Sequence, residues 1–202
     1  AETRIDNNTT QRRLPNPKPL AADQLPTEAP FTMGAFYTLP VADHDEADAV
    51  AIADIDADGR KDLVVATINA VDGRYEVRLY RQDANGTLLA PLKFPYGDTA
   101  TRTGLVVADL DHDRYPDIVV GGNTSLALLE WNPDTQALAR TNVPINALPK
   151  PEHLVAVDSN GDGHQDIVSM ACCQENAIAE YRGNGAGGFI QAYSTYSPAM
   201  HA

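Results

Sequence analysis

The sequence predicts an all-β fold of three four-stranded antiparallel units, with one extra strand ahead of them. Three observations carry that expectation. Aromatic residues are scarce while turn formers are plentiful, with 6% aromatic, 43% hydrophobic, 14 Gly and 14 Pro in 202 residues, which suits many short strands better than long helices. Apolar residues run in short stretches bounded by Gly, Asn, Asp or Pro. One acidic pattern returns three times, about 50 residues apart.

Residues 1–30 carry Pro15, Pro17, Pro19, Pro26 and Pro30 among small and polar side chains, without a sustained period of 2 or 3.6, and read as an extended arm or linker. Residues 31–40, with Phe36, Tyr37 and Leu39, read as the closing strand of a unit that precedes the three. The strand-rich segment spans 31–202, and its units fall at approximately 48–98, 103–147 and 152–197.

Each unit opens with a strand that runs into an acidic loop. The stretches 50–65, 106–120 and 155–168 align without gaps on a D-x-[DN]-x-D-x-x-x-D register followed by two apolar residues. The step from Asp54 to Asp109 is 55 residues and from Asp109 to Asp158 is 49, room enough for four short strands. A second strand follows each loop. A third ends in an aromatic residue, Tyr80, Trp131 or Tyr181, after which come turn formers such as Asn85-Gly86, Asn132-Pro133 and Asn184-Gly185. A fourth strand, typified by Phe189 and Ile190, closes the unit. A small meander of this kind cannot bury both its faces alone and must stack on its neighbours, as the blades of a β-propeller do. Closed propellers take four to eight blades, so three blades make a partial ring or one completed by a partner chain.

Carboxylates at alternate loop positions converge their oxygens on one point, and hard oxygen ligands in such number suit calcium over transition metals. The expected ligand sets are Asp54, Asp56, Asp58 and Asp62; Asp109, Asp111, Asp113 and Asp117; and Asp158, Asn160, Asp162 and Asp166. The backbone carbonyls of Arg60, Tyr115 and His164 occupy the seventh position of each. An EF-hand shares the D-x-D-x-D start, but Val65, Val120 and Ser169 stand where it needs a bidentate Glu, and the flanks have strand texture. Eleven of the 28 acidic residues lie in these three clusters, which localises the chain's negative charge where cations would relieve it.

The repeated loops and their flanking strands resemble the FG-GAP repeats of integrin α subunits and the related VCBS repeats of microbial surface proteins, over roughly residues 31–197. The resemblance implies a propeller whose commonest closed form has seven blades, up to three Ca2+ held between a blade's first two strands, and a role in extracellular recognition or adhesion. The second loop departs from the pattern with Arg114 where the others have Gly59 and Gly163. A non-Gly residue at a left-handed position costs about 1 kcal/mol. The third loop has Asn160 in place of a carboxylate. The first loop is therefore expected to be the best site.

A formal net charge of -13 and a pI near 4.6 argue against nucleic acid and anionic membrane surfaces as partners. No apolar run approaches the ~20 residues of a membrane-spanning helix. A start at Ala1-Glu2-Thr3 suits an exported protein whose signal has been removed, and so a secreted, periplasmic or cell-surface location. Cys172 and Cys173 are adjacent; an oxidising compartment would permit a vicinal disulfide or a bond to another chain, and two reduced thiols at a turn is the alternative. His44, His112, His153, His164 and His201 lack zinc-ligand spacing. Asn7, Asn8, Asn85 and Asn123 begin glycosylation sequons.

No nucleophile with its base, phosphate-cradling loop or catalytic zinc motif is present, which points away from an enzyme. The expected partners are a protein or a glycan at a propeller face, together with self-association or a partner chain that completes the ring. The alternatives to an adhesion module are a propeller lectin and a non-catalytic scaffold docking to another chain.

Overall fold

A computed structural model describes residues 46–69, 73–97, 103–122, 125–144, 151–171 and 177–196 of the chain, all within the compact unit Pro40–Ala202. The expected arm over 1–30, the strand over 31–40, Cys172, Cys173, His44, His201, Asn7, Asn8 and Asn123 lie outside the described residues.

The described residues form twelve strands and no helix: β1 Glu46–Ala53, β2 Asp62–Asn69, β3 Arg74–Tyr80, β4 Leu92–Pro95, β5 Leu105–Ala108, β6 Asp117–Gly121, β7 Ser125–Asn132, β8 Ala137–Pro144, β9 His153–Val157, β10 Asp166–Ala171, β11 Ala177–Gly183 and β12 Phe189–Tyr196. They pair into three separate antiparallel sheets, β1 to β4, β5 to β8 and β9 to β12, each in sequence order. These are the three propeller-type blades that the repeat predicts, and they do not close into a ring. Pairing between the first two strands is the same in every blade, with Ile52 opposite Leu63, Val107 opposite Ile118 and Ala156 opposite Ile167.

The third strands show one departure from the sequence reading. Leu63 lies opposite Tyr80 and Ile167 opposite Tyr181, but Ile118 lies opposite Leu129. In register, Tyr80 and Tyr181 therefore correspond to Leu129, and Trp131 sits two residues further on. A shift of two keeps the side chain on the same face, so Trp131 still packs inward with Leu129.

Period-2 alternation gives every blade two apolar faces, and the two hydrophobic cores lie where blades meet. One joins Ile55, Val64, Ala66, Val77 and Leu79 of the first blade to Ile118, Val120, Ala127, Leu129, Trp131 and Leu138 of the second. The other joins Leu110, Val119, Leu126 and Leu128 of the second blade to Leu154, Ile167, Ala179 and Tyr181 of the third. Each fully buried aliphatic side chain there is worth about 1.5–3 kcal/mol, so blade stacking is the main source of stability. The Arg81 guanidinium adds to the first junction by lying 5.7 Å from the centre of the Trp131 ring.

Close backbone approach fixes the second junction. Gly104 N donates to Pro151 O at 3.1 Å and Gly121 N donates to Gly104 O at 2.9 Å. A Cβ on Gly121 would stand 2.3 Å from Pro151 O, and one on Gly104 would meet Leu154 Cγ at 2.9 Å. Only glycine fits at these two places. At the first junction Thr103 N donates to the Asp48 carboxylate and its hydroxyl to Gly121 O.

Candidate metal centre

Each acidic loop joins the first two strands of a blade, β1 to β2, β5 to β6 and β9 to β10. The loops are tight because two residues in each take left-handed backbone: Ala57 and Gly59 (φ 54° and 88°), His112 and Arg114 (63° and 81°), Gly161 and Gly163 (79° and 90°). Arg114 thus carries the strain expected of it, and Ala57 and His112 carry more of the same kind.

The first acidic residue of each loop caps the turn. Asp54 accepts from Asp58 N at 3.0 Å and Gly59 N at 2.8 Å, Asp109 from Arg114 N at 3.2 Å, and Asp158 from Gly161 N at 2.7 Å and Gly163 N at 3.0 Å. The third acidic residue accepts from the seventh-position N–H: Asp58 from Arg60 N, Asp113 from Tyr115 N and Asp162 from His164 N.

The last acidic residue is a brace between strands. Asp62 is fully buried and accepts from Ile55 N at 3.1 Å and Gln82 N at 3.0 Å. Asp166, also fully buried, accepts from Ser159 N and Gly183 N, both at 2.9 Å, and from the Ser159 hydroxyl. Among the described residues Asp117 accepts from Leu110 N alone, at 2.9 Å. Burial, with the charges of Asp111, Glu130 and Asp113 adding to it, pushes Asp117 up to about 7. With one backbone donor where its counterparts have two, little offsets that rise.

Two loops bring three carboxylates together. Asp54, Asp56 and Asp58 offer oxygens within 4.8 Å of one another, as do Asp109, Asp111 and Asp117. Asp62 stays outside the first group and Asp113 outside the second. In the third loop no such group forms among the described residues: Asn160 Nδ2 donates to Asp162 at 2.9 Å and its Oδ1 accepts from Asp162 N at 2.8 Å, so the amide satisfies the position locally. In the two grouped loops one buried oxygen each, Asp56 Oδ1 and Asp109 Oδ1, has no hydrogen-bond partner. A buried acceptor without a donor, set among other carboxylates, fits a hard cation such as Ca2+.

Residues outside the acidic pattern divide the loops further. In the first, Arg60 pairs with Asp58 and Arg81 lies 3.5 Å from Asp56; burial and the Asp58 charge nevertheless push Asp56 up. In the second, Glu130 of β7 stands at the register position held by Arg81 and Arg182 elsewhere. Burial, then Asp111 and Asp113, push Glu130 up. Burial and the charges of Asp111 and Asp109 push Asp113 up as well, against the bond from Tyr115 N. In the third, Glu180 shares the single Ser159 hydroxyl proton with Asp166 and pairs with Arg182 at 3.3 Å, which together hold it below its usual range. The loops of the second and third blades touch through His112 Nε2 and His164 Nδ1, 3.2 Å apart.

Glu130, Arg81 and the histidine contact were not found by sequence reasoning. Only the β7 register exposes Glu130 as the counterpart of the two arginines, and the motif alignment had displaced it by two. Asn85 is exposed in a turn where its N–H donates to Asp83, and His153 is an exposed residue at the start of β9. No helix among the described residues is long and apolar enough to cross a membrane.

Among known families, the model of the FG-GAP-like repeat matches residues 54–120 and again 109–169. The two overlapping stretches run from the first Asp of the first loop into β10, beyond the third loop. No curated protein matches the chain.

Proposed function

The chain belongs to the FG-GAP-like repeat family, and from that premise we propose that it is a non-catalytic, calcium-binding recognition or adhesion module that works outside the cytoplasm. The observation that carries this reading is the pairing of two carboxylate groups, each with oxygens within 4.8 Å, with an orphaned buried oxygen at Asp56 and at Asp109. Asp54, Asp56 and Asp58 would hold one ion, and Asp109, Asp111 and Asp117 another. Ca2+ bound there would supply positive charge that the second loop lacks among the described residues and that Arg60 and Arg81 supply only in part to the first. The braces at Asp62 and Asp117 would stiffen β2 and β6 in turn, and so the propeller face at which a protein or glycan partner is recognised.

Thermal melts with calcium and with chelator test the reading. A ligand at a hundred times its dissociation constant stabilises the folded state by about 2.7 kcal/mol per site, so a rise of several degrees is expected, along with bound calcium by elemental analysis. An unchanged melt and a metal-free protein would overturn it.

A further inference from the structure

The outward face of the third blade and the open β1 row of the first carry counterparts of the interface that joins blades within the chain. On the third blade Val155, Val157, Met170, Ile178 and Ile190 are 56%, 40%, 46%, 48% and 70% exposed. All five lie on one face, since Val155 pairs through Val168 with the row that holds Met170, Ile178 and Arg182, and Ile190 lies opposite Arg182. In register Ile178 corresponds to Val77 and Leu126, both fully buried against the next blade. An exposed aliphatic side chain at a position buried in both other blades marks a face made to be covered.

On the first blade Val50 and Ile52 are 64% and 69% exposed. They correspond to Leu105 and Val107, and to Leu154 and Ala156, which pack against the preceding blade. Elsewhere on that face Val65, Thr67, Arg78 and Tyr80 are buried, so the open part is the β1 row. Blade junctions in the chain run through this same row, with β1 against β5 and β5 against β9.

We propose that these faces take a second copy of this chain, β9 of one copy lying on β1 of the other as β5 lies on β1 within each, in a two-fold ring. What argues for a copy is continuity with the in-chain interface: each chain holds both the donor row and the acceptor row. Two copies supply six of the described blades, inside the four to eight on which propellers close. The contact is narrower than those within the chain. Ile55 and Leu110 plug the loop end of the internal junctions, and exposed Ser159 holds that position on the third blade. Association is therefore concentration-dependent.

Sedimentation of the whole chain over a concentration series, with calcium present, tests the proposal. The expected result is a monomer–dimer equilibrium that Ile52→Lys and Val155→Glu each weaken at least tenfold, while both variants keep a cooperative melt. Mixing the two variants should restore the dimer. In the mixed pair one interface is wholly unaltered, and the other sets the two introduced charges, opposite in sign, against each other. A monomer at every concentration overturns the proposal. So does a dimer lost with Val155→Glu but indifferent to Ile52→Lys, which would place two third blades face to face. Mass reports on association and bound metal on the calcium sites, so either can fail alone.

Discussion

The second and third loops share one sequence pattern and one place in the blade, yet their electrostatics run in opposite directions. In the second, burial and like charge push Asp113, Asp117 and Glu130 up, and no cationic side chain pairs with them among the described residues. In the third, the bond from His164 N and the Asn160 amide hold Asp162 low. Burial raises Asp166, but the Ser159 hydroxyl with the Gly183 and Ser159 N–H groups outweighs it and holds that carboxylate low too. The third loop relieves its own charge from within, whereas the second keeps its charge for something to bind. One acidic repeat thus carries opposite electrostatics in two blades, set by Asn160 and Ser159 within the third loop and by Glu130 beside the second.

The strongest way to break that comparison is to remove one carboxylate from each loop. Asp111→Ala should lower calcium affinity at its site more than tenfold, a loss above about 1.4 kcal/mol, and Asp162→Ala should cost much less in calorimetric titration. By the same reasoning Asp58→Ala should weaken binding more than Asn160→Ala. Equal losses would mean that the local hydrogen bonds of the third loop do not substitute for an ion. The first loop, ranked highest on sequence, has Arg60 and Arg81 competing for its carboxylates and is expected to bind below the second.

A gentler change tests the residue that separates the loops. Glu130→Gln removes one negative charge without altering the acidic pattern, and should weaken calcium at the second loop severalfold while leaving the third unaffected. Measured by titration at low and high salt, an effect confined to low salt would show that Glu130 acts only at a distance.

Proton linkage gives a third contrast. Without calcium, folded Asp117 holds its proton up to about 7, whereas the unfolded chain releases it near 3.8. Between those values the folded state binds more protons, so this group makes stability fall as pH rises. Asp162 and Asp166 have lowered folded values; their contribution is present above the unfolded value and is lost as pH falls through the folded one. Melts of the calcium-free chain across this range should therefore show a decline that Asp117→Asn flattens, while calcium binding near neutral pH releases protons. A decline that persists in Asp117→Asn would assign it elsewhere.

The smallest expected effect is conformational. Arg114→Gly relieves a left-handed arginine at φ 81° and should stabilise the chain by about 1 kcal/mol, whereas Gly163→Ala in the third loop should cost a similar amount. Denaturant midpoints at constant slope would measure both.

Much of this architecture is legible in the chain because strand period and loop chemistry agree. Ile52 and Leu63, Val107 and Ile118, and Ala156 and Ile167 can be paired from the gapless loop alignment alone. The third strands cannot. A two-residue displacement keeps every side chain on its face, so the pattern that would betray it is unchanged, and Trp131 reads as the partner of Tyr80 although Leu129 holds that place. The metal-binding geometry is half legible for a related reason. Alternating carboxylates announce the loops, but whether Asp62 or Asp117 turns to the cluster depends on a backbone donor arriving from a distant strand. Neither the contact of His112 with His164 nor the left-handed Ala57 leaves a trace in spacing or composition.

Every strand among the described residues pairs with a neighbour in the chain, and this bears on how the molecule reaches its fold. Few hydrogen-bonded contacts span more than one meander, so each sheet can form with little loop-closure entropy and then template the next. Growth and decay should both run along the series. The third blade has a stacked neighbour on only one side among the described blades, and its amides in β10 and β11 should exchange with solvent sooner than those of β6 and β7, which are stacked on both sides. Hydrogen exchange resolved by strand would then read out the molecule as a short stack of coupled cooperative units whose middle member opens last.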